Sequence, residues 1–423
     1  MAETREPALV RRLGTADAVL IGLGSMLGAG VFAAFGPAAA SAGAALLVGL
    51  AIAALVAYCN ATASAQLAAQ YPTSGGTYVY GRERLGDWWG FLAGWGFVVG
   101  KTASCAAMAL TFAAYVVPPD WQRPTACAAV VALTAVNYRG ITRTAVLTRI
   151  IVTFVLISLA VVVAAGLLAG GPDPGRVADA METGPGWYGV LQSAGLLFFA
   201  FAGYARIATL GEEVKAPERT IPRAIQLALG ITVVVYAAVA VTVLAVLGAD
   251  GVAGSGAPLL DVALAGSWSW SAPLVRLGAA AAALGALLAL IAGVGRTGLA
   301  MARHGDLPHW LAAVHPRFRV PHHAELALAG AVCLLVLTVD LRGAIGFSSF
   351  GVLVYYLVAN LAARTQDAGH RRFPRPLQTL GATGCAVLVL TLPVSSVLGG
   401  LGVFAVGGAY RVLRLRRGSG TAT

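Results

Sequence analysis

Twelve apolar stretches, most of them near bilayer-crossing length, follow one another from residue 17 to residue 413. They fall at roughly 17–35, 41–69, 88–117, 125–137, 146–170, 188–211, 223–248, 271–302, 324–340, 343–363, 377–393 and 395–413, and are called spans 1 to 12 below. A helix needs about 20 mainly apolar residues to cross the hydrocarbon core of a bilayer. Lipid offers a backbone amide no partner, so apolar runs of this length satisfy themselves as helices, and the expected fold class is an all-α integral membrane protein. Span 4 is short and is expected to extend past Asn137. Charged residues make up 11% of the chain and the mean hydropathy is +0.79. A soluble domain would carry about a quarter charged residues. Span 1 follows Arg5, Arg11 and Arg12, as a signal peptide would. It lacks a small-residue cleavage pattern and the spans continue to the C-terminus, so it reads as retained.

The net charge of +11 is distributed by loop. Loops on one side hold most of the arginines, among them Arg82, Arg139, Arg219, Arg303, Arg371 and Arg414. The opposite loops hold Arg123, Arg176 and Arg342, with Arg276 at their edge. Positive charge collects on the cytoplasmic side, so both termini are expected there, in a multi-pass protein of the plasma membrane. The surplus is topological and gives no sign of nucleic-acid binding. The five cysteines lie in or beside apolar spans without paired spacing, which fits small core residues better than a disulfide framework or a metal site.

Span 1 reads AVLIGLGSMLGAGVFAAF, with Gly22, Gly24, Gly28 and Gly30 inside it. Glycine is a poor helix former that tolerates unusual φ values, so the helix is expected to open there. Span 6, FFAFAGYARIATLGEE, carries a second interruption at Gly203 followed by Tyr204 and Arg206. Broken helices at corresponding positions of two repeated halves mark the substrate site of secondary transporters. Spans 1–5 (about 17–170) and 6–10 (about 188–363) make two sets of five, and an odd count inserts the second set upside down relative to the first. Spans 11 and 12 (about 377–413) lie outside the repeat. For Gly24 and Gly28, small-xxx-small helix packing is the competing explanation. The loop before span 3 carries a stretch, Tyr78 to Leu85, that suits the membrane interface, with Trp88, Trp89 and Trp95 as belt residues.

Four segments in order carry a family resemblance. They are GLGSMLGAGVFAAFG at 22–36, YPTSGGTYVYGRERLGDWWGFLAGW at 71–95, FFAFAGYARIATLGEEVKAPERTIPRAI at 198–225, and RTGLAMARHGDLPHWLAAVHPRFRVPHHAE at 296–325. Together they resemble the amino acid–polyamine–organocation (APC) permease superfamily, nearest its cationic amino acid transporter-like branch. The resemblance implies a LeuT-like 5+5 inverted repeat with about 12 transmembrane helices, of which helices 1 and 6 are discontinuous. It also implies that the α-carboxylate and α-amino groups of an amino acid meet the two breaks. By position, Met26, Gly28, Ala29 and Gly30 would line the first and Phe199, Ala202 and Gly203 the second, with Phe199 as gate or as ordinary packing. Half-helix N-termini favour a carboxylate and freed carbonyls an ammonium, in agreement.

Lys101, Arg206 and Arg296 are the cations left within spans. Arg296 lies near a span end and can snorkel outward. Lys101 sits near the middle of span 3, where a charge costs about 2.5–3.5 kcal/mol even on insertion scales. The chain has only two lysines, Lys101 and Lys215, and at mid-membrane it uses the cation that can lose its proton. Lys101 is therefore a candidate to titrate during transport. The alternative is a lysine that ties down opened backbone carbonyls. Related permeases carry an acidic residue two positions after the helix-6 glycine, where this chain has Ala205, and others a lysine in helix 5, where it reads IIVTFVLISLA. Arg206 is a gating candidate, or pairs with Glu212 or Glu213 at the inner gate.

These features point to secondary active transport by alternating access, with proton-coupled uptake of a neutral or acidic amino acid. An exchanger of amino acids or polyamines, cationic ones included, is the rival. A membrane enzyme is disfavoured because the six histidines all lie in loops. A channel is disfavoured because the spans show no rings of repeated polar residues. No cofactor or metal is expected; the proton is the expected coupling ion, with sodium left open. The partners are the amino acid and the lipid bilayer, and the sequence sets no oligomeric state.

Overall fold

The computed structural model describes residues 13–71, 75–140, 145–182, 186–208 and 213–419, nearly all of them helical. The first set comprises α1 (Thr15–Met26), α2 (Ala29–Ala33), α3 (Phe35–Ala42), α4 (Leu46–Gln70), α5 (Gly76–Leu85), α6 (Asp87–Val116), α7 (Pro119–Tyr138) and α8 (Ala145–Ala169). A short helix, α9 (Pro174–Glu182), precedes α10 (Gly186–Phe201), α11 (Ala205–Ala208), α12 (Pro217–Gly254), α13 (Pro258–Leu264) and α14 (Ala272–Arg303). The chain ends with α15 (His322–Thr338), α16 (Leu341–Arg364), α17 (Arg375–Thr391) and α18 (Val394–Ser419).

Among the described residues, each of the twelve expected spans falls largely on helix, but by length and composition nine helices can cross a membrane. Helix α15 is apolar and shorter, with 17 residues. Helix α7 begins with Pro-Asp-Trp-Gln-Arg and α17 with Arg-Pro-Leu-Gln, and these polar first turns shorten their apolar lengths. Helix α12 starts at Pro217, six residues before the expected boundary, and breaks at Gly248, where φ is +71°. Only glycine takes that φ without strain.

Helix α6 lies at the centre, against α16 on one side and α14, α7 and α15 on others. Glycines allow the α6–α16 approach. A Cβ on Gly100 would lie 2.9 Å from Val352 N, and one on Gly351 would lie 2.6 Å from Gly96 O. Without an aqueous driving force between helices, such backbone contact is what holds membrane helices together. Trp95 donates from its indole to Val403 O at 3.1 Å, so it docks on α18 instead of serving the aromatic belt. Trp88 and Trp89 are exposed, as belt residues would be.

The arginine-rich end is closed by a polar clamp. Asp306, in the loop after α14, is buried and pairs with Arg411 of α18, while Tyr78 of α5 donates to it at 2.8 Å. Arg82 stands 3.8 Å away. The Arg411 guanidinium lies over the Trp88 and Phe91 rings at 4.9 and 4.8 Å. Burial, and then the hydrogen bond to Asp306, hold the Tyr78 phenol above its ordinary pKa. Tyr78 and Tyr80 turn inward, so α5 is a packed helix of the clamp and not one lying free on the interface. At the same end Leu13 and Val214 form an isolated parallel bridge, Leu13 N to Glu213 O at 3.1 Å and Lys215 N to Leu13 O at 2.9 Å. Removing one partner of a buried ion pair costs about 3–5 kcal/mol. Arg411→Met should therefore lower the melting temperature in detergent clearly, and the double change Arg411→Met/Asp306→Asn should recover most of the loss.

Candidate functional site

The first span breaks at Leu27–Gly28. Helix α1 ends at Met26, Leu27 has ψ +27°, and Gly28 has φ −74° and ψ −144° before α2 begins. The break uses ordinary negative φ values, and none of the four glycines of span 1 has a positive one. The expectation that they supply unusual φ is thus replaced by another reason, close approach. A Cβ on Gly22 would lie 2.3 Å from Ile207 Cδ1, on Gly28 2.9 Å from Ala286 Cβ, and on Gly30 2.5 Å from Ala200 Cα. The second break is milder than expected. Between α10 and α11 the chain tightens into a 3₁₀ turn at Ala202–Tyr204. There Gly203 presses on the first break, since a Cβ on it would lie 2.3 Å from Ser25 O and 2.6 Å from Met26 N.

The two interruptions are therefore in direct contact, through Gly203 against Ser25 and Met26 and through Gly30 against Ala200, while Gly28 packs on Ala286 of α14. Met26, Ala29, Phe199 and Ala202 are buried, as are Gly28 and Gly30. Gly203 is partly buried. The breaks face each other in a closed arrangement, without intervening space at Gly203. Carbonyls loosened by the breaks are taken up by side chains from other helices. Lys101 of α6, 8% exposed, donates to Ala202 O at 3.4 Å, and Tyr356 of α16 donates to the same oxygen at 3.3 Å. Tyr236 of α12 donates to Met26 O and lies 3.0 Å from Ala200 O, so one hydroxyl spans both breaks. Tyr115 of α6 donates to Phe32 O at 2.9 Å. Leaving such a buried acceptor unpaired costs about 1–3 kcal/mol.

Lys101 is thus brought to the site, against the second break. Arg206 is not buried there; it is exposed, with Glu213 and Arg296 in electrostatic range. Glu212 lies outside the described residues. Arg296 is exposed, as a snorkelling residue would be, and acts electrostatically on Glu325. Glu325 itself is buried against Gly295, with Oε2 unpaired. Sequence reasoning missed the tyrosines at 115, 236 and 356. A lone tyrosine within an apolar run such as VVVYAAV was the signal, because a buried phenol needs a partner. Among the described residues, no group of three or more His, Cys, Asp or Glu is arranged to hold a metal.

A family model described as amino acid permease matches residues 13–405. An uncharacterized transporter of Mycobacterium tuberculosis is 61% identical over 408 residues, covering 96% of this chain and 92% of that protein. The branched-chain amino acid permease BcaP of Bacillus subtilis is 25% identical, over 92% of this chain and 88% of its own length. Cationic amino acid transporter 4 of Homo sapiens is 27% identical, over 84% of this chain and 59% of its own length.

The contacts of the glycines set a test. Gly30→Ala forces a methyl into the backbone of α10, an overpacking worth about 1–3 kcal/mol, and should lower the melting temperature. Gly230→Ala in α12 meets nothing within 4 Å and should leave it equal or higher, because alanine favours a helix by about 0.5–1 kcal/mol.

Proposed function

The chain belongs to the amino acid permease family, and from that premise we propose that it takes up an amino acid across the plasma membrane by alternating access, with both termini cytoplasmic. It is a multi-pass membrane transporter and not an enzyme. The observation that carries the proposal is the contact of the two breaks, Gly203 on Ser25 and Met26, with Lys101 held at the Ala202 carbonyl. In this reading α1–α8 and α10–α16 are two inverted five-helix repeats, and α17 and α18 stand outside them.

Transport requires the breaks to part. Separation bares the Ala202 and Met26 carbonyls to the substrate's α-ammonium and the start of α2 to its α-carboxylate. Met26, Gly28, Ala29 and Gly30 then line one side and Phe199, Ala202 and Gly203 the other. Lys101, released from Ala202 O, meets the anionic end. An ammonium and a carboxylate favour each other's binding, and linkage makes the effect mutual. Proton and substrate therefore load together, which is symport. A cationic side chain would meet Lys101 and no mid-span carboxylate, so a neutral or acidic amino acid is the better substrate. The branched-chain amino acid permease among the relatives agrees with a neutral substrate. The cationic transporters among the relatives favour a second reading, exchange that includes cationic amino acids.

Proteoliposomes separate these readings. Under an imposed inward proton gradient, radiolabelled neutral or acidic amino acids should accumulate, and Lys101→Met should abolish accumulation while the protein still folds. Full gradient-driven accumulation by Lys101→Met would refute the role of the lysine. Uptake that needs a counter-substrate inside, whatever the gradient, would make the protein an exchanger.

A further inference from the structure

A column of buried polar side chains leads away from the second break between α4, α16 and α17. It starts at Ala202 O, shared by Lys101 and Tyr356. The Tyr356 ring lies 5.0 Å from that of Tyr204, whose buried hydroxyl faces Tyr356 and Asn60 without a close, well-aligned hydrogen bond to either. Asn360 donates to Asn60 Oδ1 at 2.6 Å, and the Cys385 thiol donates to the same oxygen at 3.3 Å. Asn60 Nδ2 and Asn360 Oδ1 remain unpaired. On α17, Gln378, Gly381 and Cys385 are three and seven residues apart, which puts them on one helix face. Gly381 leaves room at Asn360, since a Cβ there would sit 2.4 Å from Asn360 Oδ1. One turn nearer the arginine-rich end, Gln378 has both amide atoms unpaired. Beyond it the chain reaches the loop where Arg372 N and Phe373 N donate to Gln66 Oε1 at 3.3 and 3.2 Å.

Asn60, Asn360 and Gln378 are each 0% exposed. Amides in apolar surroundings are costly unless paired, and buried water is what usually pairs them. An unsatisfied amide such as Gln378 is hard to explain as structure alone, because leucine of similar size would pack there at no polar cost. The other titratable groups around Lys101 and the column are the thiols of Cys59, Cys105 and Cys385 and the phenols of Tyr204, Tyr355 and Tyr356. All six are of types that are neutral near pH 7, which leaves Lys101 as the charge the column serves.

We propose that Tyr356, Tyr204, Asn60, Asn360 and Gln378 hold a file of water through which the Lys101 proton reaches the cytoplasm. The inference rests on the proton-coupled reading above. In the step, one N–H bond of the Lys101 ammonium breaks, leaving the neutral amine. The proton joins the first water, and each following water passes one on by breaking one O–H bond and forming another, until hydronium forms in the cytoplasm. The amides orient the waters and exchange no proton themselves, so they are positioning residues.

Gln378→Leu tests this without removing any protein hydrogen bond. In proteoliposomes carrying an internal pH dye, substrate-driven acidification should fall about tenfold in Gln378→Leu. Substrate counterflow, which needs no net proton movement, should stay within about twofold, and the melting temperature should hold or rise. Asn60→Leu/Asn360→Leu should behave alike in acidification, and Asn60→Ser/Asn360→Ser, which can still bind water, should restore it. Wild-type acidification in Gln378→Leu would overturn the path and leave the coupled transport standing. Absence of acidification in the unaltered protein would overturn the path and the coupled reading together.

Discussion

A backbone carbonyl in lipid must have a donor, and the arrangement at the centre of this protein follows from that requirement at Ala202. Where α10 tightens into its 3₁₀ turn, the Ala202 oxygen is served by Lys101 from α6 and Tyr356 from α16. The same requirement at Met26 is met by Tyr236 from α12. Helices far apart in sequence are thereby held to the two interruptions by hydrogen bonds to main-chain atoms. The glycine seam of α6 and α16 brings Lys101 and Tyr356 to one oxygen, and it does so by allowing contact that any Cβ would prevent.

The ends of the molecule are held differently from its middle. At the arginine-rich end, Asp306 gathers α5, α18 and the loop after α14 through Tyr78 and Arg411. At the opposite end, Arg342 of α16 donates to Ser41 at 3.0 Å and Gln192 at 3.3 Å, and Arg123 of α7 donates to Leu337 O at 2.8 Å. Arginines thus gather at the two ends, some exposed and one, Arg411, buried against Asp306 and the Trp88 and Phe91 rings. Around the two breaks, Lys101 apart, the donors are the neutral hydroxyls of Tyr115, Tyr236 and Tyr356, whose transfer from water costs far less than that of an ion.

The apolar lengths and the interruptions at residues 22–30 and 203 were legible because a bilayer dictates one and glycine marks the other. Lys101 was legible as a charge in mid-span. Its partner was not, since nothing local to span 3 points to a carbonyl 101 residues on. Asn60 with Asn360, and Asp306 with Arg411, are likewise pairs made by folding alone, 300 and 105 residues apart. The glycines of span 1 pointed to the right place, but not through unusual φ: their φ values are negative, and Gly22, Gly28 and Gly30 supply clearance for Ile207, Ala286 and Ala200. Helices α7 and α17 lie where spans were expected, but their polar first turns leave them short of apolar length, a shortfall that a count of apolar runs passes over.

The bridge between Leu13 and Val214 ties the start of α1 to the segment after α11 with main-chain atoms only. Such a tie is indifferent to side-chain identity, so every residue on it except one turned to proline keeps the donors and acceptors it needs. Apart from Val214, which is fully buried, substitution can drift there while the two broken helices stay yoked at one end. A scan that replaces exposed side chains one at a time would pass over the joint, even though it fastens the start of the first broken helix to the chain that leaves the second.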